Sequence, residues 1–182
     1  MKNRTPIHAI FAFCLYLCSA GFAQAENLSP ATFYGTFQGS GYAENRDSVY
    51  FGTTVRDLDV VIAPSGSGFS VTWTTVIRSG GNPNDPNVKR KAQTVSFSPT
   101  GETGVFRGTP SGDPLSGNPY IWARIEQHTL TVYIMTISSQ GNYDMQSYAR
   151  TLSGAGMDLV FTRIRDGEPV RSAKAKLVKI AN

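Results

Sequence analysis

Hydrophobic and polar residues alternate along most of the chain beyond its first 25 residues. Phe69, Val71 and Trp73 fall on one side of an extended segment, while Ser70 and Thr72 fall on the other. This alternation is typical of a β-strand with one buried face. Similar runs occur at 32–42, 57–63, 90–98, 105–108, 120–126, 130–138, 143–152, 157–165 and 170–180. The pattern predicts an all-β protein of about eight to ten strands, with one short helical turn at residues 29–32.

Short turn-forming segments join consecutive runs, so neighbouring strands are predicted to be antiparallel. An open meander would leave two unprotected sheet edges, and closure into an up-and-down barrel removes them. We therefore predict an antiparallel up-and-down meander closed into a barrel, with a two-sheet β-sandwich as the alternative. Two longer loops, 79–87 and 109–119, are rich in Gly, Pro, Asn and Asp. We expect them at a barrel end, either as plain surface loops or as lids over a cavity mouth.

The first residues have the layout of a secretory signal peptide. Lys2 and Arg4 precede an apolar run at 9–18, and an Ala-Gln-Ala site ends at residue 25. The run is shorter than the roughly 20 apolar residues that span a bilayer, which argues against a membrane anchor. We expect cleavage of residues 1–25 and a single domain at 26–182, located in the periplasm or secreted.

Composition and charge narrow the partners of such a domain. The chain has 17 Lys+Arg and 13 Asp+Glu, with 16% charged and 11% aromatic residues, which is ordinary for a folded protein. Removal of Lys2 and Arg4 leaves 15 basic residues and a net charge of +2, so no nucleic-acid partner is expected. Cleavage also removes Cys14 and Cys18, the two cysteines. A disulfide, a thiol nucleophile and a thiolate metal site are therefore not expected.

The start of the predicted barrel resembles that of calycin-like barrels, the lipocalin and avidin group. A helical turn is followed by Gly35-Thr36-Phe37, where lipocalins have a G-x-W strand. The resemblance implies that Phe37 packs at the barrel base in place of the Trp, and that Arg163 on the penultimate strand covers it. It also implies a calyx-shaped interior. The helix that follows the barrel in lipocalins has no counterpart here, because strands are predicted up to residue 180.

Residues that carry catalysis are scarce. His128 is the only histidine after cleavage, and it stands in a predicted turn. No common nucleophile, phosphate-binding or zinc-protease motif is present, so we expect no enzyme activity, no cofactor and no metal site. Asp57 and Asp59 lie two residues apart on one strand face. We interpret them as a solvated outer face opposite Leu58 and Val60 rather than as an acid–base pair.

The stretch 120–137, from Tyr120 to Ile137, is apolar on both faces of two neighbouring strands. A barrel strand with one face in water does not have this pattern. Either a loop such as 109–119 covers the outer face, or this face is a homodimer interface. The inner face is predicted to fill the core or to line a ligand cavity. The candidate lining residues are Phe69, Val71, Trp73, Trp122 and Tyr133.

Three functions follow from these features. The leading hypothesis is an exported barrel that binds a small, partly apolar or amphipathic molecule in its calyx without catalysis. The alternative is an envelope interaction protein with a packed interior. It would act through an apolar patch or through its basic C-terminal hairpin, which carries Arg163, Arg165, Arg171, Lys174, Lys176 and Lys179. An enzyme is the third.

Overall fold

The computed structural model describes residues 26–46, 54–78 and 88–182, and within them the chain forms ten β-strands and two 3-10 turns. The strands are β1 (Gly35–Asn45), β2 (Thr54–Ser65), β3 (Gly68–Arg78), β4 (Val88–Pro99), β5 (Val105–Thr109), β6 (Tyr120–Glu126), β7 (Thr129–Ile137), β8 (Tyr143–Ser153), β9 (Gly156–Arg165) and β10 (Glu168–Ala181). The 3-10 turns are Pro30–Phe33 and Pro114–Ser116. The predicted signal peptide at 1–25 and the loop at 79–87 lie outside the described residues.

The strands form one closed barrel. Each is antiparallel to its neighbours in chain order, and β1 closes the barrel by pairing with both β2 and β10. All ten strands belong to this one closed sheet, so the two-sheet sandwich alternative is excluded. The prediction of an all-β, up-and-down barrel is confirmed, at the upper limit of the predicted strand number.

Glycines in β1 permit this closure. A Cβ atom on Gly39 would lie 2.0 Å from the backbone oxygen of Lys176, and one on Gly41 would lie 2.1 Å from that of Lys174. No side chain fits at such distances, so only glycine lets the backbones of β1 and β10 approach this closely.

Inward-facing side chains fill one end of the barrel, which we call the base. Phe69 stacks on Phe97 at 5.1 Å between ring centroids and meets Phe106 edge-on at 5.0 Å. Phe33, from the first 3-10 turn, is buried in the same cluster. The predicted turn at 29–32 therefore helps to close the base. Fully buried residues of this core also include Phe37, Val60, Ile62, Val71, Val95, Ile121, Ile125, Leu130, Val132 and Met157.

The stretch 120–137 supplies part of this core from one face only. Ile121, Ala123 and Ile125 are buried, and strand geometry places the alternate residue Trp122 on the outer face. On the same outer face Trp122 stacks on Tyr133 at 4.9 Å between ring centroids.

The loop 109–119 lies beside this region. Its second 3-10 turn contacts β7, and its Ser111 hydroxyl accepts a 2.9 Å hydrogen bond from the Ile121 backbone N–H. The loop therefore lies beside β6 and β7, while Trp122 and Tyr133 stay partly exposed, so its covering of the outer face stays a prediction. The homodimer interpretation stays a prediction.

Candidate functional site

The end of the barrel opposite the base encloses a cavity of about 630 Å³. Such a volume is within the roughly 300–1,000 Å³ range of small-molecule sites. Its lining comes from the last part of β1 and β3, the first part of β2, β4 and β10, and the middle of β8 and β9. The lining residues are Gly41, Ala43, Asn45, Arg56, Leu58, Val60, Trp73, Thr75, Arg90, Lys91, Ala92, Gln93, Tyr148, Arg150, Leu159, Phe161, Arg171, Ala173 and Lys174.

Three aromatic side chains from opposite sides of the barrel line this cavity and contact one another. Tyr148 and Phe161 are register partners on β8 and β9, and their ring centroids are 4.7 Å apart. Trp73 belongs to β3, which does not pair with β8, yet its ring centroid lies 5.3 Å from that of Tyr148. The barrel interior therefore brings the two rings together across the lumen. The Tyr148 hydroxyl donates a 2.9 Å hydrogen bond to Gln146 Oε1, which fixes the ring.

A fully buried arginine lies against these rings. Arg150 has no accessible surface, and its Cζ atom is 5.6 Å from the ring centroids of both Trp73 and Tyr148. Its Nη1 donates a 3.1 Å hydrogen bond to the Tyr148 backbone oxygen. Its Nε and Nη2 have no hydrogen-bond partner, and they are the only buried side-chain nitrogen or oxygen atoms in this condition within the described residues.

Burial shapes the electrostatics of the cavity. Loss of solvation lowers the pKa of the Arg150 guanidinium to about 10, so the group still carries its charge at neutral pH. Burial raises the pKa of the Tyr148 phenol, against the opposing effect of Arg150. Burial and the nearby charge of Arg171 lower the pKa of Arg56. Six of the lining residues are Arg or Lys, of which Arg90 pairs with Asp59, and none is Asp or Glu. The remaining cations favour a positive potential in the cavity.

An ion-pair network lies on β8 and β9 next to the cavity. Arg163 Nη2 is 2.6 Å from Asp144 Oδ2, and Arg165 Nε is 3.6 Å from the same oxygen. Burial raises the pKa of Asp144, but the hydrogen bond from Arg163 and the charges of Arg163 and Arg165 outweigh it, so the pKa lies below its ordinary value.

This placement corrects the role predicted for Arg163. The residue pairs with Asp144 near the far end of β9 from the base, and Lys179 Nζ lies over the Phe37 ring at 5.8 Å from its centroid. Phe37 itself is buried in the core cluster at the base. A lysine of β10 therefore covers the aromatic residue that the resemblance assigned to an arginine of β9.

The predicted cavity-lining residues divide into three groups. Trp73 lines the cavity. Phe69 and Val71 lie on the same face of β3 but nearer the base, where they belong to the packed core. Trp122 and Tyr133 lie on the outer face of β6 and β7, so their predicted position in the calyx is corrected. Side chains alternate between the two faces of β6 and β7 as the pattern predicts, but both faces are apolar, and the inner one carries Ile121 and Val132.

Residues considered for other chemistry lie away from the cavity. His128 is exposed in the turn between β6 and β7. Val60 and Ile62 point inward, which leaves Asp59 on the outer face, where its carboxylate is 3.5 Å from Arg90 Nη1. Within residues 26–46, 54–78 and 88–182, no group of three or more His, Cys, Asp or Glu side chains is placed to hold a metal ion, and no helix is long and apolar enough to cross a membrane.

Comparisons with known proteins support the fold. A crystal structure from Nostoc punctiforme, of a protein of unknown function from the DUF3598 family, is similar to this chain with a TM-score of 0.55 and 11% sequence identity. The similarity covers 90% of this chain and 53% of the other, so this chain spans about half the length of that protein. No family model and no curated protein matches the sequence.

Proposed function

We propose that the protein is an exported β-barrel that binds a small, partly apolar molecule in its cavity and does not catalyse a reaction. One observation carries the proposal: the cavity of about 630 Å³ is lined by aromatic and aliphatic side chains together with six cationic residues, above a base that is packed. Apolar walls with a few polar groups are typical of small-molecule sites, where burial of the ligand supplies affinity and the polar groups orient it.

The rest of the barrel supports the same conclusion. The base is filled by close-packed aromatic and branched side chains. Protein interiors leave few voids larger than a water molecule, so a large cavity directly above a dense core is expected to have a use. Export remains part of the proposal, since it depends on the sequence pattern at residues 1–25.

A cavity-filling substitution tests the proposal. Ala173 lines the cavity from β10, while Val178 on the same strand is 54% exposed on the outside. We expect A173F to abolish the fluorescence enhancement of N-phenylnaphthylamine, a neutral apolar dye, whereas V178F leaves it unchanged. Equal dye binding by both variants would place the dye elsewhere and contradict the proposal.

A second candidate function rests on the outer aromatic cluster, which consists of Tyr120, Trp122 and Tyr133. Its ring centroids are 5.6 Å and 4.9 Å apart, and all three side chains are partly exposed. Aromatic residues are enriched at protein interfaces, so an envelope interaction protein or a homodimer would use this face. Native mass spectrometry of the protein from its own envelope fraction separates the two: a retained small molecule supports the cavity, and a dimer that W122A dissociates supports the interface.

A further inference from the structure

The unpartnered edge of Arg150 identifies the kind of ligand. In arginine, Nε and Nη2 lie on one edge of the planar guanidinium, and this edge is the part of Arg150 that lacks hydrogen-bond partners. Two parallel N–H groups at this spacing match the two oxygens of a carboxylate or a related oxyanion. A buried charged group left without partners is costly, so such groups are rare unless a ligand completes them.

The described residues offer no carboxylate to Arg150. Its electrostatic neighbour is the neutral phenol of Tyr148. Asp144 lies on the same face of β8, but its oxygens are taken by Arg163 and Arg165. Asp144 therefore balances the charge of Arg163, whereas no carboxylate of the described residues balances the charge of Arg150.

The other charged residues that line the cavity also favour an anionic ligand. Arg56 and Arg171 line it close enough for the charge of Arg171 to act on Arg56, and the exposed Lys91 and Lys174 line it nearer to solvent. Cations that repel one another around an apolar cavity favour an anion entering it.

We propose that the cavity binds an amphipathic anion, with its carboxylate or sulfonate paired to the Nε–Nη2 edge of Arg150 and its apolar body against Trp73 and Phe161. This proposal rests on the proposed function, and it adds the charge of the ligand and the residue that reads it. Nε and Nη2 are buried, so the side chains packed on this edge must move aside when the anion binds, and Trp73 lines the cavity into which the anion enters. Trp73 fluorescence therefore reports on occupation of the site.

Two dyes that differ by one sulfonate provide the test. Anilinonaphthalenesulfonate and N-phenylnaphthylamine have the same aromatic body, and only the first is an anion. The purified W122F protein serves as background, because it leaves Trp73 as the only tryptophan while the outer-face substitution spares the cavity. We expect the anionic dye to bind roughly tenfold or more tightly than the neutral one, since a hydrogen bond to a charged group contributes about a decade of affinity. Its binding should also quench Trp73.

Arg150→Met in this background is expected to remove the preference and to keep binding of the neutral dye, while Arg124→Met, at an exposed cation on β6, preserves the preference. R150Q replaces R150M if the latter does not fold. A preference that survives in R150M would place the anion at the rim cations and overturn the assignment to Arg150. Equal binding of both dyes by the W122F protein would refute the anionic ligand but leave the proposed function standing. Absence of binding by either dye would refute both.

Discussion

Replacement of Arg150 by methionine is predicted to stabilise the protein. Methionine has a similar length, is apolar, and suits a site walled by Trp73 and Tyr148. The substitution removes a charged group that the barrel buries completely and leaves partly unpaired. Removal of such a group is often neutral or stabilising when a well-packed apolar side chain takes its volume.

The magnitude follows from the shifted pKa. Burial lowers the pKa of Arg150 from the ordinary value of an arginine to about 10. Because one pKa unit corresponds to about 1.4 kcal/mol, folding disfavours the charged guanidinium by about 3 kcal/mol. The two cation–π contacts, at 5.6 Å from each ring centroid, are near the outer limit of such interactions. Together they offset about 1–2 kcal/mol. We therefore expect R150M to raise the free energy of unfolding by about 1–2 kcal/mol.

Urea unfolding followed by circular dichroism measures this change, with an unaltered m-value as the sign that the unfolded state is unaffected. Arg124→Met is the matched control, because Arg124 is 54% exposed and pairs with Glu126 on the surface. Its effect should stay within about 0.5 kcal/mol. A loss of 1 kcal/mol or more in R150M would refute the reasoning, since it would mean that the guanidinium holds the Trp73 and Tyr148 rings together more strongly than burial penalises it.

Three further outcomes are expected. Phe97→Ala should lower the free energy of unfolding by about 3–5 kcal/mol in urea titrations, because Phe97 is fully buried in the base; a loss below about 1 kcal/mol would contradict the packed base. Burial raises the pKa of Asp144, but Arg163 and Arg165 lower it more, so it lies below the ordinary value of 3.8. The ionised carboxylate therefore stabilises the fold above about pH 4, and this stabilisation is lost as the pH falls through the pKa of the folded state. The stability of D144N, measured by thermal unfolding, should fall less steeply between about pH 5 and pH 2 than that of the unaltered protein, and parallel curves would exclude the ion pair as the cause. Gly39→Val should prevent barrel closure and reduce the yield of folded protein, whereas Gly101→Val, where a Cβ meets nothing within 4 Å, should fold normally.

The fold was predictable because the alternation of apolar and polar residues within each strand shows that one of its faces is buried. Alternation in β3 and short turns between consecutive strands are local features, and closure follows from the need to protect edges. The orientation of β6 and β7 was not predictable in the same way. Trp122 and Ile121 are both apolar, so the period identifies two faces without telling which of them meets the core. The larger aromatic face is the one that the structure places outside, where Trp122 stacks on Tyr133.

The sequence of β8 does indicate a cavity, through polar residues on both faces of the strand. Gln146, Tyr148 and Arg150 share the inward face of a strand whose outward face carries Ser147 and Thr151. Neither face is apolar enough to fill a core, although the strand is paired on both sides. A strand of this type must face a cavity or water on its inner side. Its partner Trp73 could not be assigned from sequence, because β3 and β8 meet only across the lumen.

Stability and ligand selectivity, both measured on the R150M variant, distinguish a role of Arg150 in ligand binding from a role in packing. A variant that becomes more stable and loses its preference for the anionic dye shows that Arg150 is kept for binding at a cost in stability, as functional groups commonly are. A variant that becomes less stable and keeps the preference shows that Arg150 is part of the packing of Trp73 and Tyr148. The fold can tolerate that loss of stability, because the rings of Phe69, Phe97 and Phe106 pack on one another in the base and do not line the cavity. In that case the packed base stabilises the barrel, and the cavity at the opposite end binds the ligand.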